Sequence, residues 1–263
     1  MDFNKFVESK LFRGFDWLYR LLVINLLSIL IPLALAIGPY LLYYHFGWYF
    51  FLIIGYVFAV FALIPCVINS FFIIKHYKEE KAGNVFILYF QNLALIFKNI
   101  YIYELTIIPA GGLLAFGSAY YWAALGAENF ASLDAWVRVL MITGFVFSFF
   151  CFCAVILSIV NMPMIVSYFR MKTLDLYKMS FYIAFRYFFR TFLYLVIFSI
   201  PIILALQFPS FFLPVYTLIG ISLPLYLLYL LSRNFYWHLS RNLDDLKNMD
   251  KYDLKGEDNE NRN

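Results

Sequence analysis

Long apolar stretches alternate with short polar, basic segments along most of this chain. A helix of about 20 residues with few or no charged side chains can cross a hydrocarbon core of about 30 Å. Windows of that kind recur at residues 18–37, 49–74, 100–123, 136–169, 191–206 and 211–231. The pattern therefore predicts an all-α, polytopic membrane protein with six transmembrane helices.

The fifth and sixth predicted spans are the least regular part of the pattern. The fifth is short and contains Pro201, and it meets the sixth at residues 207–210, Gln-Phe-Pro-Ser. Proline removes a backbone hydrogen bond from a helix, and irregular backbone inside a membrane needs other polar partners. Two interpretations of residues 191–231 stay open, a tight helical hairpin and a partly re-entrant one.

The cationic side chains predict which side of the membrane each connection faces, because Lys and Arg near helix ends stay in the cytoplasm. Except for Arg138, every cation lies before or at the start of the first span, between the second and third, between the fourth and fifth, or after the sixth. We therefore predict that both termini are cytoplasmic, that residues 1–236 form one transmembrane domain, and that residues 237–263 form a charged tail that is largely disordered at its end. In chain order these cations are Lys5, Lys10, Arg13, Arg20, Lys75, Lys78, Lys81, Lys98, Arg170, Lys172, Lys178, Arg186, Arg190, Arg233, Arg241, Lys247, Lys251, Lys255 and Arg262.

Composition agrees with a chain that lies mostly in lipid. Hydrophobic residues make up 64% of the sequence and charged residues 14%, and the mean hydropathy is +0.78. These values lie far outside those of a soluble domain of this length. We expect a multi-pass protein of the cell membrane, surrounded by the lipid bilayer, with no nucleic-acid partner.

Two of the basic segments also carry apolar side chains at helical spacing, which predicts two cytoplasmic interfacial amphipathic helices. Such a helix either links two spans at the membrane surface or docks on a partner protein. The first apolar stripe is Phe86, Tyr89, Phe90, Leu93, Ile96 and Phe97, and the second is Leu174, Tyr177, Phe181, Ala184, Phe185 and Phe188. The candidate docking residues are Phe86, Phe90, Phe97, Phe181, Phe185 and Arg186.

Polar side chains inside the predicted spans form a second candidate set. Asn25, Asn69 and Asn161 can hydrogen-bond between helices, an effect of about 1 kcal/mol each in membranes. Glu104 is the only acidic residue in the interior of a predicted span. It follows Lys98 by six residues, so we expect it to be solvated or paired with a cation near the interface. The alternative role for Glu104 is a proton or substrate site.

The sequence shows no motif of a catalytic, metal or cofactor site. It contains no HExxH, GxSxG, P-loop or GxGxxG pattern, and His45, His76 and His238 are far apart in the chain. We therefore predict no catalytic residues, no metal, no cofactor and no enzymatic activity. A membrane enzyme acting on a lipid-linked substrate would have to use scattered groups, namely His76, Glu79, Glu80 or Glu104.

Short motifs in both halves of the chain resemble the YesL-like family of bacterial integral membrane proteins. The resemblance covers roughly residues 11–235. Compared with the family pattern, this chain has about 20 additional residues between Asn25 and Pro65, which are enough for one more span. The matching motifs are Asn25-Leu26-Leu27, Pro65 through Ser70, Gly83-Asn84-Val85-Phe86, Tyr89-Phe90-Gln91-Asn92, Pro163-Met164-Ile165 and Ala184-Phe185-Arg186.

Proteins of that family are often encoded beside carbohydrate ABC importers and glycan-degrading enzymes. The resemblance implies a non-enzymatic accessory membrane subunit that associates with an oligosaccharide ABC import system, with a permease as its partner. Residues 175–189 lack the Glu-Ala-Ala and glycine that a sugar permease presents to its ATPase, so we do not predict the permease itself. The first alternative is an autonomous small-solute transporter or channel, which could form a homo-oligomer. The second is a membrane-embedded enzyme acting on a lipid-linked substrate.

Overall fold

The computed structural model describes residues 10–79, 83–127, 130–169 and 171–260, with the side chains of 14–79, 83–127, 130–169 and 171–241. These residues are almost entirely helical and include no strand, which confirms the predicted all-α class. Lys5, Glu80, Lys81, Arg170 and Arg262 lie outside the described residues. The helices are α1 Lys10–Phe46, α2 Tyr49–Glu79, α3 Val85–Leu125, α4 Ala135–Tyr168, α5 Thr173–Arg186, α6 Phe188–Gln207, α7 Pro209–Ile219 and α8 Ser222–Glu260, and a short 3-10 helix occupies Phe130–Ser132.

Five of the described helices, α1, α2, α3, α4 and α6, are long and apolar enough to cross a membrane. Helices α7 and α8 qualify only as a pair, and a bend of 58° separates them. The number of candidate spans is therefore five, or six when the bent pair counts as one. The segment predicted as the sixth span, residues 211–231, is not one continuous helix, because the helix breaks at Gly220 and Ile221.

The first predicted interfacial helix is not a separate element. Residues 86–98 form the beginning of α3, whose 41 residues extend about 60 Å at about 1.5 Å per residue. Gly83, with φ of 115°, and Asn84 fix the start of this helix, because the Asn84 side chain accepts a hydrogen bond from the Phe86 N–H at 2.9 Å. Neither glycine nor proline occurs between residues 85 and 108, so nothing ends the helix before it enters the predicted span.

Helix α5 is a separate element of 14 residues, at the position of the second predicted amphipathic helix. Its buried face is rotated from the predicted stripe. The buried side chains are Leu176, Ser180, Ile183 and Ala184, whereas Leu174 and Phe185 are exposed. Its placement in the headgroup plane remains a prediction.

Helix α8 continues through the predicted tail to Glu260. The charged segment that begins at residue 237 is therefore helical in the structure as far as the described residues extend.

Cationic side chains from several helices gather at one end of the bundle, which we call the basic end. Each lies over an aromatic ring of a neighbouring helix, an arrangement stabilised by the attraction between a cation and the ring face. The distribution of Lys and Arg predicts that this end is cytoplasmic. The pairs are Arg20 over Tyr77 at 4.3 Å, Lys75 over Tyr168 at 3.7 Å, Lys78 over Trp17 at 4.2 Å and Arg190 over Phe235 at 4.3 Å.

Candidate functional site

The break between α7 and α8 is held by one side chain from α1, that of Asn25. Its Nδ2 donates to the carbonyl oxygens of Tyr216 at 3.1 Å and Thr217 at 2.8 Å. Its Oδ1 accepts from the backbone N–H groups of Ile221 at 2.7 Å and Ser222 at 3.0 Å. A single buried amide thus hydrogen-bonds with backbone groups at the end of α7 and at the start of α8.

This arrangement follows from the chemistry of a helix break in lipid. Backbone groups released at a break cannot bond to water in the hydrocarbon, so they need an internal partner with both donors and acceptors. Asn25 provides both, and it is completely buried. The bent segment is therefore attached to α1 rather than free to straighten. We call Asn25, α7 and the first turn of α8 the elbow.

Asn69 connects α2 to α3 at the basic end. Its Nδ2 donates to the Tyr89 carbonyl oxygen at 2.8 Å. Beside it, the Ser28 hydroxyl on α1 hydrogen-bonds with the Ser70 hydroxyl on α2 and lies 3.3 Å from the Tyr89 hydroxyl. These polar groups join α1, α2 and the first part of α3.

Asn161 connects α4 to α6 and α8. Its Nδ2 donates to the Thr191 hydroxyl at 3.1 Å and to the Leu157 carbonyl oxygen at 3.0 Å. Its Oδ1 accepts from the Tyr236 hydroxyl at 3.1 Å. All three predicted asparagines thus make hydrogen bonds between helices.

A further polar cluster joins α3, α4 and α5, and the sequence analysis did not identify it. The Tyr103 hydroxyl lies 3.0 Å from the Ser158 hydroxyl, which donates to Ser180 at 2.7 Å. The Tyr177 hydroxyl donates to the Tyr103 carbonyl oxygen at 3.2 Å. The available signal was a serine at 158 within an apolar stretch and a serine at 180 on the helix that packs against it.

Glu104 has a different environment from the one predicted. It is completely buried, and neither carboxylate oxygen has a hydrogen-bond partner. The expectation of solvation or pairing with a cation is therefore wrong. On α3 it shares the buried face of Ile100 and Ile107.

An apolar cavity of about 200 Å³ adjoins the elbow. The side chains around it come from α2, α4, α6, α7 and α8, and they present hydrocarbon almost throughout. A sugar placed here would leave its hydroxyl groups without partners, at a cost of about 1–3 kcal/mol for each group. The cavity is therefore unsuited to carbohydrate. Its lining includes Leu63, Val67, Pro163, Phe198, Tyr216 and Leu225.

The predicted docking residues divide into two exposed surfaces and one partly buried position. Phe86, Phe90 and Phe97 are 46%, 54% and 41% exposed, respectively, and lie within about 40° of one another around α3, so they form one row. We call these three residues the aromatic row. Phe185 and Arg186 are exposed on α5, whereas Phe181 packs against the buried cluster around Tyr103.

The stripe predicted for residues 86–97 is divided between two sides of α3. Tyr89 and Ile96 point into the bundle and are buried, while the aromatic row faces outward. Because α3 is continuous, this outward face belongs to the part of the helix that precedes the predicted span.

Comparisons of the chain with protein-family models, with curated proteins and with solved structures find no match. The resemblance to the YesL-like family therefore remains a prediction from short motifs.

Proposed function

We propose that this protein is a non-enzymatic accessory membrane subunit of a bacterial carbohydrate ABC import system. The observation that carries the proposal is the exposed aromatic row of Phe86, Phe90 and Phe97. Aromatic side chains are enriched in the cores of protein interfaces, where a few of them supply most of the binding free energy. The carbohydrate class follows from the resemblance to the YesL-like family.

The interior of the bundle also favours an accessory role over sugar transport by this chain. Asn25, Asn69 and Asn161 use their amides for bonds between helices, which leaves fewer groups to bind a moving solute. The cavity at the elbow is lined by hydrocarbon, and a sugar needs hydrogen-bonding partners. A partner permease would therefore contain the sugar path.

Site-specific photo-cross-linking in native membranes tests the proposed interface. We expect a photoreactive phenylalanine analogue at Phe90 to cross-link the full-length protein to an ABC permease subunit, identified by peptide sequencing. The matched control is the same analogue at Phe147, which is 68% exposed on α4. Absence of permease peptides at position 90, or equal yields at both positions, would contradict a docking role for the aromatic row.

The second candidate function is autonomous transport of a small solute, and the unpaired Glu104 favours it. An ionisable side chain inside a membrane protein is costly and often marks a proton or ion path. Glu104 is buried, and its carboxylate has no hydrogen-bond partner. A carboxyl group that exchanges a proton during a transport cycle would have such an environment in one state of that cycle.

The variant Glu104→Gln distinguishes the two candidates. Glutamine has nearly the shape of glutamate but cannot bind or release a proton. Under the accessory proposal we therefore expect an unchanged purification yield and unchanged recovery of the permease. Flux of candidate solutes into proteoliposomes is the second measurement, with Gln91→Asn as a control at an exposed position of α3. Solute flux by the protein alone that is lost in Glu104→Gln, while assembly is intact, would favour the transporter.

A further inference from the structure

A second cavity, of about 580 Å³, lies between the first part of α3 and α5. The ends of α2 and α4 complete its wall through Phe72, Val166 and Phe169. The backbone carbonyl of Ser167, next to Val166, accepts a hydrogen bond from the Lys75 ammonium at 2.8 Å, so the cavity adjoins the basic end. It thus separates the two segments for which the sequence predicted interfacial helices.

The polar side chains of this lining are two amides, which carry both donors and acceptors, and one cation. Asn92 and Asn99 lie seven residues apart on one face of α3, and Lys172 lies opposite at the start of α5. The Nδ2 atom of Asn92 is buried and has no hydrogen-bond partner. A buried donor without an acceptor destabilises the folded protein, so this amide indicates a missing acceptor atom.

The rest of the lining is apolar. Ile96, Ile100 and Leu176 add to the hydrocarbon of α2 and α4, and none of the described residues that line the cavity is acidic. The nearest acid along α5, Asp175, is exposed and outside the lining. A ligand suited to these walls therefore has an anionic, acceptor-rich head and an apolar body.

We propose that this cavity binds the phosphate head group of an anionic phospholipid. The ammonium of Lys172 and the amide of Asn92 bind phosphate oxygens, and the apolar wall contacts the start of an acyl chain. The site is at the basic end, where anionic lipids of the cytoplasmic leaflet would supply the ligand. This proposal is independent of the accessory function, since it concerns lipid and not the permease.

Lipid binding to the purified full-length protein tests the proposal. We would add short-chain phosphatidylglycerol, short-chain phosphatidylcholine or inorganic phosphate to delipidated protein in detergent and measure affinity by native mass spectrometry. We expect phosphatidylglycerol to bind about tenfold more tightly than phosphatidylcholine, a difference of about 1.4 kcal/mol. Inorganic phosphate should not compete at equal concentration, because it lacks the apolar body.

Variants distinguish lipid binding in this cavity from a general effect of surface charge. We expect Lys172→Gln and Asn92→Leu each to weaken phosphatidylglycerol binding at least fivefold, and Lys172→Arg to retain most of it. Lys178→Gln is the matched control, because Lys178 is exposed on the same helix and does not line the cavity. Unchanged circular dichroism and a single gel-filtration peak establish that each variant is folded.

Two results would overturn the proposal. Equal weakening by Lys172→Gln and Lys178→Gln would mean that lipid responds only to surface charge. Full competition by inorganic phosphate would mean that the cavity is a site for a soluble anion and not for a lipid head group.

Discussion

Replacement of Asn25 by alanine is expected to lower the free energy of unfolding by about 3 kcal/mol or more. The variant removes four hydrogen bonds to backbone groups at the break between α7 and α8. The Tyr216 carbonyl keeps the hydrogen bond from the Gly220 N–H at 2.7 Å. The Thr217 carbonyl and the N–H groups of Ile221 and Ser222 would lose the partner that the buried Asn25 amide provides. Steric trapping or graded denaturation in bicelles measures the change.

The control for this prediction is Asn161→Ala, another buried asparagine between helices. Its partners on other helices are the hydroxyls of Thr191 and Tyr236, which can rotate toward other acceptors. We expect a smaller loss, of about 1 kcal/mol. Equal losses for the two variants, or no loss for Asn25→Ala, would contradict the role assigned to the elbow.

Gly220→Ala is the second variant with a large expected effect, a loss of about 2–3 kcal/mol. A Cβ atom at this position would lie 2.6 Å from the Tyr216 carbonyl oxygen and would also overlap the Tyr216 ring. That same carbonyl accepts a hydrogen bond from Asn25. The added methyl group must therefore displace backbone at the elbow and not merely a flexible side chain.

The matched control is Gly112→Ala in α3, where a Cβ atom meets nothing within 4 Å. We expect that variant to be neutral or slightly stabilised, because alanine favours a helix by about 1 kcal/mol over glycine. The same unfolding assay compares the two glycines. A neutral Gly220→Ala would show that the α7–α8 break can relax without cost.

Much of the helical architecture could be predicted from hydropathy alone. The break at Gly220 has only a weak local signal, Gly220 itself and Pro224, which has no N–H to bond the Gly220 carbonyl. The bend depends on Asn25, which is 191 residues from Tyr216 along the chain. Pairing at that distance leaves no local signal in a single sequence.

The candidate residues could be predicted only in part. The wrong predictions, on Glu104 and on the stripe of residues 86–97, have geometric causes. Glu104 was expected near Lys98 because six residues separate them, yet at about 100° per residue they point about 120° apart around α3. Lys98 is therefore exposed while Glu104 faces the bundle. Helical spacing likewise identified the aromatic row but could not separate it from Tyr89 and Ile96, which point inward.

The most direct test of the accessory role is affinity purification of the tagged protein from its native membrane in mild detergent. Mass spectrometry would identify and quantify the co-purifying chains for the wild type, for a Phe86→Ala/Phe90→Ala variant, and for a Leu140→Ala/Phe147→Ala control at exposed positions of α4. We predict stoichiometric recovery of a permease pair and its solute-binding protein with the wild type and the control, and loss of most of that recovery with the aromatic-row variant. Recovery of this protein alone, as a monomer or a homo-oligomer, would contradict the proposal.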